Sequence, residues 1–381
     1  MDVAVVGAGA FGAWTALLLS RAGHKVTLID RFGPANEHSS SAGESRIIRS
    51  AYGPDEIYTS MARRSLQLWK SFFLEEGCRE CFRNTGVLWM APKEEPTIWQ
   101  AKAVFERLLI PCEWMAGEKI AAHYPQFQLQ GETVALLEPD AGVLLAEKSV
   151  RAVVGAALRA GARYERTNIK RPVSNSYRLS WIEAIDGRRF TADQFVFACG
   201  SWLPKLFEIL RETIRPTRQD LFFFGVPGDR AQQFRPGVFP VWIDQTEPRI
   251  GYGFPDLGNG LKLGFHHLGP PFDVDASRHT ATPDQIGASA EYLARRLPGL
   301  RGSHLKATQV CHYENTPNGD FLVDVHPEAN NVWLVGGGSG HGFKHAPTVG
   351  AYTVAALEGS GTRQPRFSLA ANRAGIGRRV L

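Results

Sequence analysis

Four stretches of this chain carry side chains that could do chemistry. Leu261-Lys262-Leu263-Gly264-Phe265-His266 alternates with period two. As a strand it puts Leu261, Leu263 and Phe265 on one face and Lys262, Gly264 and His266 on the other, with Lys262 and His266 about 13 Å apart. Two titratable groups with a glycine between them could line a flat ring; the alternative is a half-buried strand with a solvated polar face. Arg46 and Arg49 flank two isoleucines. A guanidinium pairs well with a carboxylate, so one could hold an acidic substrate, and the pair could equally face phosphate or solvent. Cys311 lies two residues before Tyr313 in a strand-like stretch, where a lone cysteine is most often inert packing. Gly336-Gly337-Gly338-Ser339-Gly340-His341-Gly342-Phe343-Lys344 follows an apolar strand and precedes a helix. Its backbone N–H groups, with the helix N-terminus, make a positive site to which Lys344 adds a full charge; the alternative is a glycine-rich turn with a surface lysine. Trp14, Cys199 and His341 read as packing residues.

These groups must be held by a scaffold, and the first thirty residues say which kind. Asp2 to Val6 is apolar and β-branched, Gly7-Ala8-Gly9-Ala10-Phe11-Gly12 has G-x-G-x-x-G spacing, Ala13 to Arg21 is helical, and Lys25 to Asp30 is a second strand ending in an acid. Gly7 permits the tight turn, Gly9 lets the backbone approach a pyrophosphate, and Gly12 lets helix and strand pack closely. Asp30 would accept hydrogen bonds from the adenosine ribose. The unit reads as dinucleotide-binding, without saying which dinucleotide. A reduced flavin is negative along its N1 and C2 carbonyl edge, and the positive loop at Gly336 to Lys344 would suit it.

Along the rest of the chain, Arg31 to Ser45 is a polar loop where a doubly wound sheet places its ligands. Helices are expected at Glu56 to Phe73, Trp99 to Leu109, Gly117 to Tyr124, Ala146 to Ala160, Thr282 to Leu297 and Thr348 to Glu358. Strands are expected at Thr85 to Met90, Arg163 to Ile169, Leu179 to Ala184, Gln194 to Ala198, Ala307 to Tyr313 and Asn331 to Val335. The span Thr217 to His267 is strand-rich, and Cys199-Gly200-Ser201-Trp202 is a tight turn. The α/β units at both ends and in the middle, with β-rich inserts between, point to a nucleotide-binding domain assembled from separated segments.

A chain of 381 residues carries two domains as its prior. The net charge of +5 comes from scattered Lys and Arg with no basic run, which argues against nucleic acid and suits an anionic cofactor and acidic substrate. No stretch reaches the ~18 apolar residues of a bilayer span. The first strand starts at residue 2, leaving no room for a targeting segment, and the final Arg379-Val380-Leu381 is no peroxisomal address, so a cytoplasmic location is expected. The five cysteines form no disulfide framework, and Cys78-x-x-Cys81 lacks the second pair zinc needs, so no metal is expected.

Together these stretches resemble the flavin-dependent amine oxidase family of monomeric sarcosine oxidase, N-methyltryptophan oxidase and pipecolate oxidase, within the D-amino-acid-oxidase-like superfamily. The resemblance runs through Val5 to Gly12, Ser45-Arg46-Ile47-Ile48-Arg49, Ala51-Tyr52-Gly53, Thr85 to Leu88, Glu138 to Val143, Tyr252 to Pro255, Leu261 to His266, Cys311-His312-Tyr313 and Ser339 to Lys344. It implies an α/β fold with a Rossmann-type FAD-binding domain from discontinuous segments (1–85, 142–216 and 306–381) and a β-sheet-rich substrate domain (86–141 and 217–305). It implies that Cys311 holds FAD through a thioether at the flavin 8α carbon. Lys262 would promote reaction of reduced flavin with oxygen, and Arg49 with Lys344 would bind the substrate carboxylate. Arg46 would pack against the flavin, and His266, Tyr313 and Tyr252 would line the substrate cavity. The further cofactor contacts implied are Gly7, Gly9, Ala10, Phe11, Gly12, Asp30, Arg31, Ser41, Ile169, Gly200, Trp202, Gly338, Gly340, His341, Gly342, Phe343 and Lys344. The implied activity is oxidation of a secondary amine or N-methyl amino acid to an imine, with O2 reduced to H2O2 by a monomer. Alternatives are oxidation of pipecolate or glycated amino acids, a dehydrogenase or desaturase that does not use O2, and a flavoprotein without turnover. Two departures from sarcosine oxidase bear on the substrate. Ser41-Ala42 stands where that enzyme has two histidines, and the loop from Asp256 to Gly260 is one residue shorter.

Overall fold

The computed structural model describes residues 1–173, 177–276 and 280–375. The expectation about Arg379-Val380-Leu381 lies outside the described residues. Two sheets organise the molecule. The six-stranded one has the spatial order Leu322–His326, Ala329–Gly336, Gln194–Phe197, Asp2–Val6, Lys25–Asp30 and Arg163–Arg166. All neighbours are parallel except the edge strand Leu322–His326, which forms a hairpin with Ala329–Gly336. Its strands come from the start, middle and end of the chain, as the separated α/β units predict. Apolar residues at nearly every position of Asp2–Val6 fit a strand covered on both faces.

Helices cover this sheet. Ala10–Arg21 lies against Ala146–Arg159 and Ala346–Leu357. The last contact is close because Gly350 faces Trp14: a Cβ on Gly350 would lie 3.0 Å from that of Trp14. Glu56–Glu75 starts at Asp55, whose side chain accepts from the Tyr58 N–H, and buries Leu66, Trp69, Phe72 and Phe73. Trp14 meets Trp69 and Phe72 with ring centroids 5.0 Å apart, so its packing role holds.

The eight-stranded sheet has the order Leu305–Asn315, Arg215–Phe224, Leu261–His266, Ile250–Phe254, Val241–Asp244, Val87–Pro92, Thr133–Glu138 and Glu113–Ala116. Pro283–Arg296, begun by a Thr282/Gln285 capping box, buries Tyr292 and Leu293 in the core beneath it. A buried ion pair, Arg296 Nε to Asp244 Oδ2 at 2.7 Å, fixes that helix to the sheet. A three-stranded sheet, Ser45–Ile48, Gly142–Leu145 and Phe82–Asn84, completes the framework. The expected divisions at 216/217 and 305/306 fall inside the paired strands Arg215–Phe224 and Leu305–Asn315, which are hydrogen-bonded from Arg215 with Asn315 to Phe224 with Leu305. Those two strands therefore stand together in the larger sheet rather than apart. No helix among the described residues is long and apolar enough to cross a membrane.

Candidate active site

Five parallel strands of the smaller sheet end at one cavity of about 310 Å³. Its wall takes Gly7 after the first strand, Asp30 at the end of the second, Ile169 after Arg163–Arg166, Gly200 after Gln194–Phe197, and Val335 and Gly338 at the end of Ala329–Gly336. This is the carboxyl-end crevice where open α/β sheets bind ligands. Gly9, Ala10, Phe11, Arg31, Ser41, Trp202, Gly340, Gly342 and Phe343 also line it, as do Arg46, Cys311 and Tyr313. Cys199, read as packing alone, lines it too, with its thiol donating to Val6 O at 3.3 Å.

A second cavity of about 100 Å³ adjoins the first. Arg46, Cys311, Tyr313, Gly340 and Phe343 line both. Arg49, Tyr252, Lys262, His266 and Lys344 line the second. The structure therefore brings together residues far apart in sequence.

Three of the expected cofactor contacts stand apart from the first cavity. Gly12 lines neither cavity; a Cβ there would overlap Gly7 O, in keeping with its expected role in packing the helix on the turn. His341 and Lys344 line only the second cavity. The His341 ring is held by Tyr52 Oη at 3.0 Å and Gly319 O at 3.0 Å, inside a cluster of Tyr52, Tyr58, Phe321 and His345. A solvated polar face for Lys262 is corrected. Both faces of Leu261–His266 are covered, and Lys262 is 2% exposed. The Lys262 Nζ donates to Ser45 O at 2.9 Å and Ser45 Oγ at 3.1 Å and lies 4.6 Å above the Phe254 ring. Burial first, and the Arg46 charge second, push this ammonium down to about 7.

Arg49 and Lys344 are buried and both lie against Tyr52, at 4.9 Å and 5.1 Å from its ring centroid. Burial lowers both; the Arg49 charge lowers Lys344 further, while Tyr52 and Glu138 oppose the fall of Arg49 and Glu138 opposes that of Lys344. Glu138 is a buried neighbour of these cations whose placement the sequence did not disclose, although its motif was noted. It is buried and accepts from Ser50 N–H at 2.6 Å and Ala51 N–H at 2.9 Å, the residues that follow Arg49. Burial raises its carboxyl, while those two hydrogen bonds and the charges of Arg49 and Lys344 oppose the rise. Gln219 was also missed. It is buried in the second cavity wall, its amide nitrogen donates to His267 O at 2.8 Å, and its Oε1 has no partner among the described residues. Tyr252 and Tyr313 are hydrogen-bonded to each other, and desolvation raises both, Tyr252 to about 12.

Residues 2–356 match the family model described as "DAO: FAD dependent oxidoreductase". The chain belongs to this family. It is 33% identical over 356 residues to monomeric sarcosine oxidase of Bacillus sp. (strain B-0618), covering 92% of this chain and 90% of that protein. It is 29% identical to N-methyl-L-tryptophan oxidase of Yersinia pestis (strain Pestoides F), covering 93% and 94%. Among solved structures, a modified fructosyl peptide oxidase from Aspergillus nidulans superposes with a TM-score of 0.85 at 22% identity, covering 99% of this chain and 94% of that one. An Amadoriase I mutant from Aspergillus fumigatus superposes at 0.81 with 20% identity, covering 99% and 93%. These likenesses show the fold: a DAO-type FAD-binding α/β framework with a second, β-rich part.

As a FAD dependent oxidoreductase, the protein must offer a cradle for a dinucleotide, and the first cavity fits. Gly7 has φ +106, and a Cβ on it would overlap Ala198 O. Helix Ala10–Arg21 has no side-chain cap, so its first-turn N–H groups can meet a phosphate. The Asp30 carboxylate is oriented by N–H donors at 2.7 to 2.8 Å, Phe32 and Gly33 on Oδ1 and Ala8 on Oδ2, which leaves Oδ2 with capacity for a ribose hydroxyl. Gly340 has φ +77, and a Cβ there would come within 2.6 Å of the Tyr313 ring.

Proposed function

We propose that this enzyme is an oxidase of secondary or N-methylated amino acids. The observation that carries this reading is the second cavity, where two buried cations, Arg49 and Lys344, share a wall with Lys262 beside the first cavity. The names of the relatives, sarcosine oxidase and N-methyltryptophan oxidase, support the same class. FAD, once bound, supplies the two-electron redox chemistry that oxidises the C–N bond and returns the electrons to O2. Arg49 and Lys344 bind the substrate carboxylate, and the Tyr52 ring lies against both cations. Anchored this way, the substrate C–H bond is held at the mouth shared by the two cavities. The cationic surroundings favour the unprotonated amine that oxidation needs. Gln219 Oε1 offers an acceptor for a substrate N–H, while His266, Tyr252 and Tyr313 close the cavity. The Lys262 ammonium stabilises negative charge as O2 is reduced to H2O2. Water hydrolyses the imine product unless it is cyclic.

FAD is proposed to be bonded to Cys311. The S–C bond to the flavin 8α carbon replaces one S–H and one C–H bond, and the two protons and two electrons lost leave on O2 as H2O2. The cofactor-binding unit is assigned to 1–85, 142–216 and 306–381 and the substrate unit to 86–141 and 217–305, sharing the strands at their junction. The protein is assigned to the cytoplasm as a monomer.

The test is a peroxide assay with sarcosine, other N-methyl amino acids, pipecolate, proline and glycated amino acids. Peroxide from at least one, with loss of the yellow colour under anaerobic substrate, is the expected result. Bleaching without peroxide in air would replace the oxidase by a dehydrogenase, and no bleaching by any amine would overturn the reading.

A further inference from the structure

Glu314 follows Cys311-His312-Tyr313 on Leu305–Asn315 and has no part in the chemistry above. Its side chain is buried in the wall of the first cavity. The N–H groups of Gly337 and Gly338 donate to its carboxyl group. Its Oε2 has no hydrogen-bond partner among the described residues. That oxygen lies where two backbone turns converge. A Cβ on Gly336 would be 3.3 Å from it, and one on Gly200 3.6 Å. Both turns follow parallel strands at the carboxyl end of the smaller sheet, so the oxygen sits in the crevice rather than beneath it.

An acceptor this deep is costly to leave unmatched, because burial strips its water and returns nothing. Among the described residues two backbone donors, Gly337 and Gly338, reach it, and both can be accommodated by one end of the carboxyl group. We propose that Glu314 is a direct ligand of FAD, its open Oε2 hydrogen-bonding an O–H or N–H of the cofactor. Burial pushes this carboxyl up to about 7, so near neutral pH it presents both a proton to give and a lone pair to receive one. The ribityl hydroxyls and the ring imide of FAD can pair with either form. The same side chain then joins the glycine loop at Gly337 and Gly338 to the cofactor, coupling the order of that loop to occupancy of the cavity.

This inference rests on the assignment of the first cavity to FAD. It is tested in a Cys311→Ser background, where FAD exchanges reversibly, by fluorescence titration of the apoprotein with FAD. Glu314→Ala and the similarly sized Glu314→Met are expected to weaken FAD binding at least tenfold, while Glu314→Gln, which keeps polar atoms in place, stays within about threefold. Thermal melting of each apoprotein is measured alongside. A folded Ala or Met variant that binds FAD within twofold of its parent overturns the proposal, whichever of the two can be prepared. An affinity loss matched by an equal loss of apoprotein stability also overturns it, since the carboxyl would then serve only the glycine loop. A parent that binds no FAD at all overturns the cavity assignment instead.

Discussion

The Arg46 guanidinium donates to the Cys311 sulfur at 3.6 Å. The same guanidinium is pinned by the carbonyls of Ser45 at 2.8 Å, Ser40 at 2.8 Å and Ala42 at 2.6 Å, so its place beside the sulfur is set by the loop and not by the cysteine. A fixed positive charge next to a sulfur nucleophile suits bond formation. Acid-precipitated protein is therefore expected to stay yellow, and Cys311→Ser to release its FAD into the supernatant. Arg46→Lys, which cannot reproduce the planar fork, is expected to slow incorporation of FAD about tenfold while leaving Cys311 intact. Free flavin from the unaltered protein would remove the linkage.

Oxygen use is proposed to turn on Lys262. Lys262→Met is expected to slow reoxidation by O2 about 100-fold, the cost of losing one preorganised charge-stabilising group. Substrate reduction of FAD changes far less. Because the ammonium is lowered to about 7, it is charged below that pH and neutral above it. Reoxidation in the unaltered enzyme is expected to slow as pH rises through the region near 7, and the Met variant to show no such step. Stopped-flow mixing of reduced enzyme with oxygenated buffer at several pH values measures both.

Removing either of the two cations proposed to bind the carboxylate should cost substrate recognition. Arg49→Ala or Lys344→Met is expected to lower kcat/KM for a carboxylated amine about 100-fold, near 3 kcal/mol, as for loss of one partner in a buried charge pair. Activity on an amine lacking the carboxylate should fall much less. Steady-state peroxide assays on the matched substrates compare the two.

Glu138 is expected to hold the backbone after Arg49. Glu138→Ala strands the buried N–H groups of Ser50 and Ala51 and should cost about 3 kcal/mol in urea unfolding. Glu138→Gln keeps an acceptor for one of the two N–H groups but turns its NH2 toward the other, while removing a buried charge whose carboxyl burial already raises, so its loss should be smaller than that of Ala. Equal losses from both would mean that the charge, and not the hydrogen bonding, matters.

The parts of this fold carried by local rules were legible in the sequence. The opening strand, turn, helix and strand follow from β-branching, glycine spacing and a terminal acid, and Ala146–Arg159 and Pro283–Arg296 follow from helical periodicity and their end residues. Lys262 shows where local reading stops. Its alternation marked a strand, but only the third place of that strand in an eight-stranded sheet, with Ser45 brought over it, determines that the amine is buried. Family resemblance supplied the grouping of Arg49, Lys262, Cys311 and Lys344, which no spacing could have given. Glu138, Gln219 and Glu314 escaped because their roles come from burial and from donors that are distant in sequence or lie on separate turns. His341 was placed in the cofactor set by its neighbours in the glycine loop, although its ring turns toward Tyr52.

Cys311 stands on Leu305–Asn315, an edge strand of the larger sheet, whereas Gly7 and Asp30 belong to the smaller one. A FAD molecule bonded at Cys311 and gripped at Gly7 and Asp30 is thus a cross-brace between two sheets. The bond can form only after both have folded and met, since neither alone presents nucleophile and cradle together. Bonded FAD would then be a permanent record of assembly: the fraction of chains that keep their colour on denaturation counts those whose two halves once docked correctly.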